Sequence, residues 1–258
     1  MPEGAPLLAM DEPPAFTVVH AGGTGSAVVV CDHASNRVPR SLAELGLNQA
    51  QLATHIAWDP GAAEVARRLA QHLDAPLVAS GYSRLVIDCN RPLNSAESVA
   101  EASASMVVPG NQAVSGADRL IRATTLFHPY HRAITEVLDQ RLAAGRPSAL
   151  LSVHSFTPVL NGCSRPWQAG FAYGRDPRLA LLFIDALAAD REIIVGHNQP
   201  YSVDDSTDYT LPVHGERRGL AHVLIEIRQD QLRTAEECAG WAARLAAAYR
   251  RSEPSVVS

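Results

Sequence analysis

"VVVCDHASNRVP", residues 28–39, decides how this chain is read. Its β-branched run, Val28-Val29-Val30, has the character of a buried strand, and it stops abruptly in polar chemistry at Asp32, His33, Ser35, Asn36 and Arg37. Two readings suit a histidine there. It can end a strand and help cap the next helix, or it can be half of a metal site whose other half lies elsewhere in the chain.

Working outward, similar short runs alternate with longer helical patterns. Strands are expected at 27–31, 76–80, 84–88, 149–153, 169–173, 192–196 and 222–227. Helices are expected at 61–73, 117–143, 177–189 and 231–250, where apolar residues recur at 3.6-residue spacing. Asp59-Pro60-Gly61 reads as a helix start, with Asp59 as N-cap and proline in the first position. Strands alternating with helices predict an α/β fold, a three-layer sandwich with a mostly parallel mixed sheet flanked by helices. No repeat, linker or composition shift divides the chain, so a single domain over 1–258 is expected, frayed at about 1–15 and 251–258. Residues 94–116 lack periodicity and read as an irregular excursion bordering a site.

Composition narrows the function. The chain has 258 residues, 47% apolar and 19% charged, which is globular usage with room for a sizeable core. A net charge of −5 without a Lys/Arg cluster argues against nucleic acid or an anionic membrane as partner. Cys31, Cys89, Cys163 and Cys238 form no C-x-x-C pair, which suggests reduced thiols in a cytoplasmic protein. Neither a signal peptide nor a membrane-length apolar run is read. The glycines of "HAGGTGSAVVV" precede a strand, so they do not form a phosphate loop.

In open α/β sheets, ligands bind beyond the carboxyl ends of the strands. Strand 27–31 runs into Asp32-His33, 84–88 into Asn90-Arg91, and 149–153 into His154, while 222–227 carries Glu226. Histidines at 33 and 154 offer ligands for zinc from two directions, and Asn36, three residues after His33, can turn to the same point. Glu226 is out of place in a buried strand unless something requires it, and burial raises a carboxylate's pKa towards the range useful to a general base. Arg91 offers a planar fork suited to a substrate carboxylate. The residues by themselves suggest a zinc hydrolase acting on a carboxylate-bearing compound.

The string "CDHASNRVP … HIAWDPGA … SRLVIDCNRP … FHPYHRAI … SVHSFTP … NQPYS … IEIRQD" closely resembles the N-formylglutamate amidohydrolase family over about residues 17–249. The resemblance implies a zinc-carboxypeptidase-like fold, shared with the acylglutamate/aspartate deacylases. It implies one Zn²⁺ ion held by His33, Asn36 and His154, Glu226 as general base, and Asn90 and Arg91 on the substrate carboxylate. Tyr201 is expected near the substrate, an acidic N-acyl amino acid. Asn36 departs from the pattern, standing where such enzymes carry a carboxylate ligand, so Asp32, His55 and Asp59 remain alternative ligands. The implied activity is hydrolysis of N-formyl-L-glutamate to formate and the free amino acid. Two rivals stay open: another acyl group or a peptide on the same scaffold, and a degenerate binder of an acidic metabolite.

Bland readings stand beside these. Asn36 suits a turn, Arg91 could pair with Asp88, and Glu226 with Arg228. His128 and His131, at i and i+3, are read as site lining or a satisfied helix pair and not as ligands.

Overall fold

A computed structural model of the protein describes residues 6–256. Seven strands form its main sheet: β1 (Phe16–Val19), β2 (Ala27–Cys31), β3 (Leu77–Ser80), β4 (Ala149–Phe156), β5 (Ala169–Ala172), β6 (Val195–His197) and β7 (His222–Arg228). Their order is β1-β3-β2-β4-β7-β5-β6. The central strands β3, β2, β4 and β7 run parallel, β1 pairs antiparallel with β3, and β5 antiparallel with β7. The sheet is therefore mixed and mostly parallel, as expected.

Strand alternation sorts side chains into two cores. On β2, Ala27, Val29 and Cys31 face one core, with α1 (Ala62–Leu73), and Val28 and Val30 face another, with α2 (His128–Ala143). Helices α3 (Arg178–Ala188) and α4 (Ala235–Val256) complete the first core. The three valines are fully buried, each contributing about 1.5–3 kcal/mol of apolar burial. Among the described residues no helix is long and apolar enough to cross a membrane.

Several expectations need correction. Residues 84–88 are not a strand. Leu85, Val86 and Ile87 are buried in a third core, and the carbonyls of Leu85 and Val86 accept from Asn111 Nδ2 and Arg122 Nη1, which replace a strand ladder. The seventh strand is instead β1, a short edge whose last three residues are exposed, so it carries no alternating apolar signal. The helix expected at 117–143 passes through wider π-type turns at Ala123–Phe127 before α2 begins. Helix α1 begins after Gly61, whose φ of +81° and close approach to Leu232 suit only glycine, and Asp59 does not cap it with its side chain. Gly25 lets the loop before β2 lie on the end of α1, since a Cβ there would come within 1.9 Å of the Leu73 carbonyl oxygen.

Of the ends expected to fray, residues 1–5 and 257–258 lie outside the described residues. Leu7 is buried in the third core, and the Tyr82 hydroxyl donates to the Pro13 carbonyl.

Candidate active site

Three strands deliver polar side chains to one place because of their parity. Asp32 follows Val28 and Val30 on the α2 side of β2, while Ser152 and His154 occupy that face of β4. Glu226 on β7 is the register partner of His154, so both present to the same side. His33 lies just past β2, and its carbonyl accepts from the Asp59 amide, tying the turn before α1 to the strand end.

The core of the site is His33, Asp59 and His154, all buried, with one ligand atom from each lying within 4.8 Å of the others. Asp59 Oδ2 stands 3.3 Å from His33 Nδ1 and 2.9 Å from His154 Nδ1. The far nitrogens are also fixed. His33 Nε2 lies 2.8 Å from Asp88 Oδ1, and His154 Nε2 lies 3.0 Å from Asp32 Oδ2. An Nε2–H donated outward to a carboxylate leaves each Nδ1 lone pair for the interior, which is how metal-ligating histidines are usually oriented. Two imidazoles and a carboxylate so arranged fit a divalent cation.

The charges around this cluster balance in pairs. Burial alone would push the His33 and His154 pKa values down, but Asp59 with Asp88, and Asp32 with Asp59, outweigh it and hold both above the usual histidine range. Burial opposes ionisation of Asp32 and Asp59 too, and the histidines overcome it, keeping both carboxylates ionised. Asp32 accepts from four donors in all: Tyr130 and Thr210 hydroxyls on Oδ1, Ser152 and His154 on Oδ2. Arg84 pairs with Asp88 at 2.8 Å and approaches Asp59 at 3.6 Å.

Glu226 is different. Only 6% of it is exposed, and its Oε2 finds no hydrogen-bond partner. Arg228 does not neutralise it, because that guanidinium pairs with Asp230 at 2.7 Å. Burial pushes the Glu226 pKa up to about 7, against the pull of His154 and His33.

A pocket of about 420 Å³ opens onto these residues and is also lined by Arg84, Asn90, Arg91 and Tyr201. Glu97, from the excursion at 94–116, and Thr207 and Asp208, from the loop after β6, close one side. Gly170 lets the β6 loop pass tightly over β5: a Cβ there would meet the Gln199 carbonyl oxygen at 1.8 Å.

The family model for N-formylglutamate amidohydrolase matches residues 25–233. The chain belongs to the N-formylglutamate amidohydrolase family. A gene product of Agrobacterium tumefaciens is 36% identical and superposes with a TM-score of 0.93, covering 96% of this chain and 98% of its own. The N-formylglutamate amidohydrolase of Ralstonia eutropha JMP134 is 18% identical, with a TM-score of 0.59 over 94% of this chain and 98% of its own, a likeness of fold. No curated protein matches.

Within this member of the N-formylglutamate amidohydrolase family, the structure brings together His33, His154, Glu226, Asn90, Arg91 and Tyr201 around one pocket. It does not bring Asn36. The Asn36 amide donates to the Leu52 carbonyl at 3.0 Å, and its side chain borders a separate surface hollow beside Arg37 and Tyr82. The carboxylate comes from Asp59 instead, read from sequence chiefly as a helix cap. A loop residue distant in sequence from His33 reaches the cluster only because the chain folds back beside β2.

Arg91 is held by the Thr207 carbonyl at 2.6 Å, Asp208 at 3.5 Å and Glu97 at 3.3 Å; the partner once considered for it, Asp88, is taken by Arg84. Asn90 is engaged on both ends of its amide, donating to Asp208 and accepting from the Tyr209 and Thr210 amides. His131 is buried against His214 and the Cys89 carbonyl, while His128 is exposed, so the two form no ligand pair. The outer residues Arg84 and Asp88 were missed. Their signal was the density of ionic residues in "SRLVIDCNR", hidden by reading that segment as a strand.

Proposed function

We propose that this protein is a metal-dependent amidohydrolase that cleaves the N-formyl amide of N-formyl-L-glutamate, or of a similar acidic N-acyl amino acid, to formate and the free amino acid. The observation that carries the reading is the buried His33–Asp59–His154 cluster with the unpartnered Glu226 carboxylate beside it in one pocket. Family membership supports the reaction type.

In this reading His33, Asp59 and His154 hold Zn²⁺, and the former candidate Asn36 is a structural residue. The chemistry such an ion would supply when bound is Lewis acidity towards an amide carbonyl and a lowered pKa for water. Glu226 takes the proton of the attacking water on its free Oε2 and returns it to the departing amine. Arg91 receives a substrate carboxylate, exchanging its contact with the exposed Glu97 for the ligand, while Asn90 fixes the 207–210 loop beneath it. Asp32 and Asp88 keep the two imidazoles in the tautomer that ligates through Nδ1.

A binder of acidic metabolites would gain nothing from a carboxylate buried without a partner, since burial without compensation destabilises the fold. The test is metal content measured together with formate release from a panel of N-formyl amino acids. Zinc at one equivalent with formate released fastest from N-formylglutamate supports the proposal. Tight binding of N-formylglutamate by zinc-loaded protein without release of formate would replace it with the binding reading.

A further inference from the structure

Among the arginines near the pocket, one lacks an acidic partner. Arg84 is matched by Asp88 and Asp59, and Arg91 by Asp208 and Glu97. Arg165 is 9% exposed, yet no carboxylate of the described residues pairs with it. Its one side-chain hydrogen bond runs from Nη1 to the Tyr201 hydroxyl at 2.9 Å. The guanidinium lies between two rings that line the pocket, 4.9 Å from the centre of Tyr201 and 5.8 Å from that of Phe156. Its backbone is pinned: the amide donates to Pro158, and the carbonyl accepts from Arg228 Nη1. A buried guanidinium without a counter-ion is costly, and a rigidly placed one is prepared for an anion.

We infer that Arg165 and Tyr201 form a second anion anchor at the Tyr201–Phe156 wall of the pocket, in addition to Arg91, so that the site selects N-acyl amino acids carrying two carboxylates. The inference rests on the function proposed above and assigns its substrate specificity. Arg165 keeps Nε and Nη2 for the incoming carboxylate, and the Tyr201 hydroxyl, which accepts from Nη1, keeps its own proton to donate to the same group. Arg91 takes the other carboxylate. The scissile amide then lies between the two anchors, beside Glu226 and the His33–Asp59–His154 cluster. A neutral side chain in place of either carboxylate leaves one arginine desolvated and unpaired, which is how a polar site rejects an analogue.

The experiment compares N-formyl-L-glutamate with its α-amide and its γ-amide in wild type, Arg165→Gln, Arg165→Lys and Tyr201→Phe. Formate release gives kcat and KM, and melting temperature checks folding. In wild type, amidation at either position should lower kcat/KM by about 30-fold or more. Arg165→Gln should lose a comparable factor on the dicarboxylate, mostly in KM, and nothing further on the one monoamide whose missing charge Arg165 would have met. Arg165→Lys, which keeps the stem and the charge but not the fork, should shift the same ratio less, and carries the test if the glutamine variant does not fold. Tyr201→Phe should move it in the same direction. Equal losses on all three substrates, or none, in variants with wild-type melting temperature would overturn the assignment. Failure of the wild type to release formate from any N-formyl amino acid would instead sink the parent reading, and this inference with it.

Discussion

Glu226→Gln should separate catalysis from stability, and the structure sets both magnitudes. The carboxylate is 6% exposed, Oε2 has no partner, and burial raises its pKa from the ordinary 4.5 to about 7 in the metal-free protein. A group whose folded pKa lies above its unfolded one holds its proton in the folded state while the unfolded chain releases it. Stability therefore falls as pH rises from about 4.5 to about 7, and the full cost is present above that. A shift of this size corresponds to about 3 kcal/mol. Glutamine does not titrate, so the variant escapes the cost, less about 1 kcal/mol for burying amide hydrogens without partners. In chelator-treated protein the variant should fall about 1 kcal/mol below wild type near pH 4.5 and exceed it by about 2 kcal/mol at pH 8, the latter roughly 5 °C in Tm for a chain of this size. Zinc-loaded, the same variant should retain its metal but lose about 10²–10⁴-fold in kcat. Thermal melts at the two pH values and formate-release kinetics read both effects. A Tm difference that does not change with pH would refute the burial argument, and a fully active variant would refute the general-base role.

The metal set is open to a direct comparison: His33→Ala, His154→Ala and Asp59→Ala should each lose zinc on dialysis while Asn36→Ala keeps it, as read by metal analysis. Full occupancy in Asp59→Ala would remove it from the set. Arg91→Ala should cost about 2–5 kcal/mol in kcat/KM, and Arg91→Lys should not restore it, because a point charge lacks the bidentate fork. The buried pair His131 and His214 is held neutral. Burial lowers their pKa values to about 4 and about 3, with His131 adding to the effect on His214. The unfolded chain takes up protons below pH 6.5 that the folded pair refuses, so stability should drop by about 5 kcal/mol between pH 6.5 and 4. Urea melts should show His214→Gln flattening that slope; an unchanged slope would place the acid sensitivity elsewhere.

Much of this protein was legible from its sequence, for reasons of short range. The β2 valines, the run before His154 and the apolar spacing of α1 identify themselves, because periodicity and β-branching act within a few residues. His33, His154 and Glu226 could be singled out because the first directly follows a buried strand and the other two stand inside one, where a polar side chain calls for a function. Asn36 and Asp59 mark the limit. Three residues from His33, Asn36 looked better placed than Asp59, yet its amide is drawn to Leu52, while the Asp59 backbone is tied to the His33 carbonyl and its carboxylate reaches both histidines. Residues 84–88 looked like a strand because their apolar side chains are buried, but Asn111 and Arg122, from later in the chain, take up their carbonyls. Side-chain character and local spacing are written along the sequence. Which distant carboxylate completes a buried cluster, and which arginine is left without one, is decided only when the folded chain has matched every other buried charge.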